Sequence, residues 1–232
     1  MMKFLIIKKK KLLNNRPSNS NSIISNTPKK KNKRVLIDRL IGRGTFGKVF
    51  IGYYEDSNTP LAIKYEKLDS NYKNREIEIL KLLMKNPSDC IINIIDYSIK
   101  NNNQNQISCI IMDYYSSDLK TFILKACYKK KIIYLKSYTI QLLKALEHIH
   151  NLSIIHRDIK PDNILVNKNK VCLADFGSAK FFDHSKSTVY ISTRYYRAPE
   201  CILENEFYDM SIDIWGMGCV FAEILLNHPI FI

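Results

Sequence analysis

The sequence predicts an α+β fold of two lobes, a small β-rich lobe followed by a helical lobe. Short β-branched and aromatic segments recur between residues 35 and 113, whereas helix-like periodicity prevails after residue 116. The 232 residues, 46% of them hydrophobic and 25% charged, suffice for one large domain or two small lobes. We therefore expect most of the chain to fold around a hydrophobic core.

The first lobe is predicted from short strands and one helix. Residues 74–83 combine charged positions with an apolar stripe, which predicts a helix. The polar run 101–105 predicts a hairpin turn between the last two strands. Strand composition marks five short segments: 35–41, 48–54, 60–65, 90–98 and 108–113.

The second lobe is predicted to be mainly helical. Helices are expected over 117–128 and over 137–150, the latter with leucine and isoleucine at helical spacing. Residues 154–176 have the composition of short strands and loops, and a last helix is expected to begin near Ser211.

Residues 1–34 differ from the rest and are predicted to be a disordered basic tail. They hold nine lysines, two arginines and no acidic residue, so they carry +11 of the net charge of +14. Residues 35–232 are nearly balanced and form the predicted domain, with the first lobe and hinge at 35–115 and the second lobe at 116–232. Nucleic acid, an acidic membrane surface, an import receptor and plain solvent are all compatible with such a tail.

Several classes of protein are excluded by composition. No apolar run approaches the roughly 20 residues of a membrane span. The six cysteines lie at least 18 residues apart and form no C-x-x-C pair, which argues against a zinc site and a disulfide framework. A reduced compartment, the cytoplasm or the nucleus, fits best. The balanced charge outside the tail makes nucleic-acid binding by the domain an unsupported interpretation.

A glycine-rich segment predicts a phosphate-binding turn. Three of the seven glycines are Gly42, Gly44 and Gly47, and without Cβ atoms their backbone can approach phosphate oxygens closely. A strand-like segment follows, so the glycines join two strands rather than open a helix, and no Gly-Lys-Ser/Thr of a P-loop follows. Val49 is then expected to face the base of the nucleotide.

Lys64 lies inside an apolar strand. Burying an ammonium is costly unless an opposite charge meets it. The phosphates of ATP are one candidate partner, and Glu76 on the following predicted helix is another.

The segment from His156 to Asn163 predicts phosphoryl-transfer chemistry. Asp158 can accept a hydrogen bond from an attacking hydroxyl, and Lys160 can neutralise the transferred group. Asn163 and Asp175 offer the hard oxygen ligands that Mg²⁺ prefers. The spacing of these groups therefore predicts a magnesium-dependent site.

In this order, the motifs resemble the signature set of protein kinases: the glycine-rich turn, Ala62-Ile63-Lys64, Glu76, His156-Arg157-Asp158 with Asn163, Asp175-Phe176-Gly177 and Ala198-Pro199-Glu200. The resemblance covers residues 36–232 and implies a bilobal kinase fold that transfers phosphate from ATP to protein substrates. The lysine at position 160 resembles the residue that serine/threonine kinases carry at this place in the catalytic loop. The resemblance implies catalytic roles for Asp158, Lys160, Lys64 and Glu76. It implies ATP contacts at Ile41, Gly42, Arg43, Gly44, Thr45, Phe46, Gly47, Lys48, Val49, Ala62, Lys64, Met112, Asp113, Tyr115 and Leu165.

Within the kinases, the chain is similar to the glycogen synthase kinase-3 group. The segments that carry this similarity are 74–76, 175–180 and 189–200. It implies that Arg75, Arg157 and Lys180 bind a phosphate already present on the substrate, although the same three cations could simply brace the loop. It also implies an activation-loop phosphosite at Tyr190, and supporting roles for Thr193 and Asp213 at the catalytic loop.

The resemblance also implies further helices after residue 232, so the helical lobe is expected to be truncated and to lack the group's scaffold-docking surface. Three interpretations follow for the chain. It is an active kinase, a nucleotide-binding but inactive truncation or pseudokinase scaffold, or, from the tail alone, a nucleic-acid-binding module. The apolar helix at 220–226 is expected to be partly uncovered.

Overall fold

The structure is a computed structural model. It describes residues 5–8, 34–43, 47–68, 75–102, 105–188 and 193–232. The chain divides into two compact units, one of residues 1–69 and 95–114 and the other of residues 70–94 and 115–232. Within the described ranges, no helix combines the length and hydropathy that crossing a membrane would require.

The first unit is built on one six-stranded sheet. Its strands are β1 (Leu5–Lys8), β2 (Arg34–Arg43), β3 (Gly47–Tyr54), β4 (Pro60–Leu68), β5 (Ile94–Asn102) and β6 (Asn105–Asp113). Their order across the sheet is β1-β2-β3-β4-β6-β5. The pairs β2–β3, β3–β4 and β4–β6 are antiparallel, so the glycine-rich segment connects two neighbouring strands as the sequence predicts.

The prediction of a disordered tail is wrong at Leu5–Lys8. These residues form β1 and pair in parallel with residues 34–37 of β2. An edge strand offers unpaired backbone N–H and C=O groups, and the run Leu-Ile-Ile has high β-propensity. The rest of the tail, including the basic run before Arg34, lies outside the described residues.

The predicted strands of this unit are confirmed, with changes at their ends. The exception is 90–98, where the strand begins only at Ile94. Ile91, three residues earlier, instead makes an isolated β-bridge to Leu173, and both residues belong to the second compact unit. The predicted turn at 101–105 is shorter, because β5 and β6 reach into it, and residues 103–104 lie outside the described part.

Strand β4 has two distinct faces. Leu61 and Ile63 pack with Val35, Cys109 and Ile111 in the buried core of the sheet. Successive side chains of a strand point to opposite faces, so Ala62, Lys64 and Glu66 lie on the other face. Lys64 is thus excluded from the apolar core, although it lies in an apolar strand.

The second unit contains the helices and three short strand pairings. Its helices are α1 (Arg75–Lys85), α2 (Leu119–Lys125), α3 (Tyr128–Asn151), α4 (Pro199–Ile202) and α5 (Ser211–Leu226). Its strands are β7 (Ser117–Asp118), β8 (Ile154–Ile155), β9 (Ile164–Asn167), β10 (Lys170–Leu173) and β11 (Lys180–Phe181). Single 3₁₀ turns occupy 161–163, 176–178 and 194–196. A β-sheet lobe and a helical lobe were predicted, and both are confirmed.

Helix α1 belongs to a different unit from the one that the sequence predicts. The sequence assigned residues 35–115 to the first lobe, but 70–94 group with the second unit. The reason is packing, because α1 contacts the 176–178 turn and β11. The boundary after the hinge, between Tyr114 and Tyr115, is within one residue of the prediction.

The bounds of two predicted helices were wrong. The helix expected at 117–128 begins only after Asp118, whose carboxylate accepts the Thr121 N–H at 2.7 Å and caps α2. The helix expected at 137–150 begins nine residues earlier, at Tyr128. Its lysine-rich first turns hide the helical period, whereas Leu142, Leu146 and Ile149 further on are buried as predicted.

Helix α5 is partly uncovered, as expected. Val220 and Ile224 are buried, whereas Phe221 and Leu226 are exposed. Buried and exposed apolar side chains therefore alternate around the same helix.

Candidate active site

The predicted acceptor carboxylate, Asp158, lies at the centre of a hydrogen-bond network. Its Oδ2 is 2.7 Å from the Lys160 ammonium and accepts the Asn163 amide N–H at 2.9 Å. Asn163 also donates to the Asp158 carbonyl at 2.8 Å. The loop from 158 to 163 is therefore closed on itself by three predicted site residues, with the carboxylate 15% exposed.

Thr193 orients this carboxylate from the other side, as the resemblance implied. Its backbone N–H and hydroxyl donate to Asp158 Oδ1 at 3.1 and 3.3 Å. The same hydroxyl accepts from Lys160 at 2.9 Å. Thr193 lies 35 residues from Asp158, so its contribution depends on how the later segment folds back.

The backbone before Asp158 is held by Asp213 of α5, which is 1% exposed. The two oxygens of Asp213 accept the backbone N–H groups of His156 and Arg157 at 2.8 and 2.9 Å. Arg157 has φ of 69°, a left-handed conformation that is costly for a residue with a Cβ. The expected bracing role of Asp213 is confirmed, and it acts at the strained position.

The two predicted magnesium ligands lie on neighbouring backbone. Ala174 donates its N–H to the Asn163 carbonyl at 2.9 Å, and Asp175 follows it with φ of 61°. Asp175 is exposed, whereas the next residue, Phe176, is buried and packs against the His156 ring. An amide oxygen and a carboxylate fit Mg²⁺, which needs few protein ligands because it keeps several waters.

Tyr196 is anchored on α5 by a contact that the sequence did not reveal. Its hydroxyl donates to Glu223 at 2.6 Å, and both residues are buried. Burial raises the pKa of the Glu223 carboxyl above its ordinary value. A glutamate in the apolar stretch of α5 was the available signal for this contact.

In the first unit, the strand registers place Gly42, Val49, Ala62, Lys64 and Met112 on one face of the sheet, whereas Lys48 and Asp113, opposite Tyr65 and Leu61, lie on the other. Lys64 lies opposite Val49 on β3 and Ile110 on β6, and Ala62 lies opposite Met112. Directly opposite residues of antiparallel strands share a face. Gly42 faces Val49 as well, whereas Gly44, Thr45 and Phe46 lie outside the described residues.

Lys64 forms an ion pair that the sequence analysis missed. Its Nζ lies 2.6 Å from Glu66 Oε1, and the two side chains are 13% and 9% exposed. The signal was present, because residues i and i+2 of a strand lie on the same face. The predicted partner Glu76 belongs to the other compact unit, and its pairing with Lys64 stays a prediction.

Gly47 is required by the close approach of β4. A Cβ built on Gly47 would lie 2.2 Å from the Tyr65 carbonyl oxygen and 2.8 Å from Glu66 Cγ. We expect Gly47→Ala to destabilise the protein by about 2 kcal/mol, because backbone must move to relieve this overlap. Urea unfolding measures the loss.

Gly42→Ala is the matched control for Gly47→Ala. The nearest atom to a Cβ there is Val49 Cβ at 3.6 Å, an ordinary contact. An equal loss of stability in the two variants would contradict the steric explanation and indicate a general need for glycine in this segment.

The three cations of the predicted phosphate pocket all belong to the second unit. Arg157 donates its Nε–H to the Ser178 carbonyl at 2.6 Å and Nη1 to the Tyr208 hydroxyl at 3.1 Å. Lys180 follows Ser178 by two residues, and exposed Arg75 begins α1, which packs against this segment. The predicted phosphosite Tyr190 lies outside the described residues.

The chain belongs to the protein kinase family. Residues 36–232 match the family described as Protein kinase domain. This agrees with the β-sheet unit, the helical unit and the catalytic-loop network, and it confirms the fold that the motifs implied.

Three curated relatives refine this assignment. The chain is 34% identical to "Glycogen synthase kinase 3" of Trypanosoma brucei brucei, with 87% of the chain and 61% of the relative covered. It is 38% identical to "Serine/threonine-protein kinase RIM11/MSD1" of Saccharomyces cerevisiae, with 83% and 53% covered. It is 36% identical to "Probable serine/threonine-protein kinase glkA" of Dictyostelium discoideum, with 84% and 40% covered. The predicted similarity to the glycogen synthase kinase-3 group is confirmed, and the chain spans about half the length of these relatives.

Proposed function

We propose that the protein transfers the γ-phosphoryl group of ATP to serine or threonine hydroxyls of protein substrates. The observation that carries this proposal is the catalytic-loop network, in which Lys160, Asn163 and Thr193 all contact the carboxylate of Asp158. Phosphoryl transfer relies on positioning and charge neutralisation, and this network supplies both.

Each residue of the proposed site has a distinct task. Asp158 accepts the proton of the substrate hydroxyl while the hydroxyl oxygen forms a bond to the γ-phosphorus of ATP. The bond between the γ-phosphorus and the β-phosphate oxygen breaks, and ADP is released. Lys160 neutralises charge on the transferred group, and Lys64 binds the non-transferred phosphates. Asn163 and Asp175 would hold Mg²⁺, which would neutralise charge on the phosphates. On the first unit, Val49, Ala62 and Met112 provide the apolar face for the base.

We further propose that the substrates are preferentially those that already carry a phosphate. The proposal is supported by the hydrogen bond of Arg157 to the carbonyl of Ser178, two residues before Lys180, and by the packing of α1, which Arg75 begins, against the 176–178 turn and β11. Arginine pairs with phosphate in a bidentate manner, so a cluster of two arginines and a lysine suits a phosphoserine. The cytoplasm or the nucleus remains the predicted location of the protein and its substrates.

Transfer of radiolabelled phosphate to matched peptides tests this proposal. One peptide carries a phosphoserine and the other carries serine at the same position, and each is assayed with MgATP. We expect transfer to both, with kcat/KM at least about tenfold higher for the phosphorylated peptide, since charge-assisted phosphate contacts are strong. Asp175→Ala, which removes a magnesium ligand, is the inactive control.

The outcomes separate the open interpretations. Equal rates on the two peptides would contradict the preference for phosphorylated substrates while leaving the kinase proposal intact. Folded protein that binds MgATP but transfers no phosphate would support the inactive, nucleotide-binding alternative.

A further inference from the structure

Lys180, the lysine of the proposed phosphate-binding cluster, is already satisfied by its own loop. Its ammonium donates to Asp183 Oδ1 at 2.9 Å, to Ser187 Oγ at 2.8 Å and to Ser185 Oγ at 3.4 Å. An ammonium has three N–H donors, so these contacts match its full capacity. The Lys180 side chain is 11% exposed, and a buried ammonium needs such partners.

Asp183 is held in place for this contact. Its Oδ1 also accepts the Ser185 hydroxyl at 2.6 Å and the Ser185 backbone N–H at 3.1 Å. Hydrogen bonds from Ser185 and from Lys180 hold the pKa of the Asp183 carboxyl far below its ordinary range. The Asp183 side chain is 57% exposed, so a charged carboxylate covers the buried ammonium on its solvent side.

Arg157 differs from Lys180 in this respect. The partners that the structure describes for its guanidinium are uncharged, the Ser178 carbonyl and the Tyr208 hydroxyl. The carboxylate in the described part of the cluster therefore neutralises the lysine and not this arginine.

We infer that Asp183 is an internal anion that occupies Lys180 in place of a substrate phosphate, and so sets how strongly the protein prefers phosphorylated substrates. This inference rests on the proposed function. A phosphate can engage Lys180 only if the Asp183 carboxylate moves away or shares the ammonium. Asp183 therefore weakens the binding of phosphorylated substrates and leaves unphosphorylated ones unaffected.

Steady-state kinetics of Asp183→Asn with the paired peptides tests the inference. We expect KM for the phosphorylated peptide to fall about fivefold, because an exposed carboxylate pairs only modestly with a lysine. KM for the unphosphorylated peptide and both kcat values should stay within twofold of the unmodified protein. Asp183→Glu keeps the charge and is expected to keep the original ratio of the two KM values.

Glu206→Gln is the matched control. Glu206 is a half-exposed carboxylate that pairs with Lys186 at 2.7 Å, so this variant removes one surface charge from the same region without touching Lys180. If Glu206→Gln lowers KM for the phosphorylated peptide as much as Asp183→Asn does, the effect is a general change of surface charge and the inference is overturned. An unchanged KM in Asp183→Asn overturns it as well.

Equilibrium binding separates this inference from the proposed function. Fluorescence anisotropy of a labelled phosphoserine peptide needs no catalysis. Tighter binding to Asp183→Asn than to the unmodified protein supports the inference even if neither protein transfers phosphate, in which case the kinase proposal alone fails. Equal binding to the two folded proteins, verified by their unfolding curves, overturns the inference.

Discussion

The Asp158→Asn variant is expected to lose about 10³-fold in kcat while binding MgATP with unchanged affinity. The amide cannot take up the proton of the substrate hydroxyl, a task that contributes 10²–10⁴-fold in comparable sites. Its NH₂ group would also face a donor in either orientation, Lys160 and Asn163 on one side or the Thr193 backbone N–H on the other. Radiolabelled transfer to the phosphorylated peptide, together with nucleotide titration, measures the two quantities separately.

Asp162→Asn provides the control in the same loop. Asp162 pairs with Lys120 at 2.9 Å, and the two side chains are 43% and 55% exposed. An exposed pair of this kind contributes about 0–1 kcal/mol, so kcat should stay within twofold. A kcat for Asp158→Asn within fivefold of the unmodified protein would show that another group accepts the proton.

The Asp213→Ala variant is expected to lower the free energy of unfolding by about 3 kcal/mol. It leaves two buried backbone N–H groups, those of His156 and Arg157, without their acceptor, and each orphan costs about 1–3 kcal/mol. His150 loses its 3.0 Å contact with the same carboxylate. Denaturant unfolding measures the loss, and kcat should fall too, because Arg157 loses what holds its left-handed backbone next to Asp158.

Asp209→Ala is the comparison for Asp213→Ala. Asp209 precedes the same helix and accepts the Ser211 N–H at 2.8 Å at an exposed position. Losing this contact should cost about 1 kcal/mol, as for other helix-terminal side chains, and leave kcat unchanged. If the two variants lose equal stability, Asp213 acts as an ordinary terminal residue of α5 rather than as a brace.

Local patterns predicted the elements that local chemistry specifies. The strands from 34 to 68 and the helix at 75–85 follow from composition and periodicity over a few residues. The errors lie where a long-range contact determines the secondary structure, or where the hydrophobic periodicity of a helix is weak. Leu5–Lys8 becomes a strand only because the edge of β2 is available, and the first turns of α3 carry lysines that obscure its apolar stripe.

The candidate site shows the same division. The identities and order of Lys64, Asp158, Asn163 and Asp175 could be read from the motifs, because each lies in a short sequence motif and the motifs follow one another in a fixed order. The ion pair of Lys64 with Glu66 was available from strand alternation alone, and was missed.

By itself, the sequence determined the family, the candidate catalytic groups and most of the regular elements. Only the tertiary structure decided the atoms through which the expected Thr193 and Asp213 hold Asp158 and Arg157, and it alone revealed the contacts of Glu223 with Tyr196 and of Asp183 with Lys180. Most of these contacts join residues far apart in the chain, and the last depends on an irregular loop. No periodicity encodes such a partner, since the partner is chosen by how separate segments pack and by the need to satisfy buried polar groups.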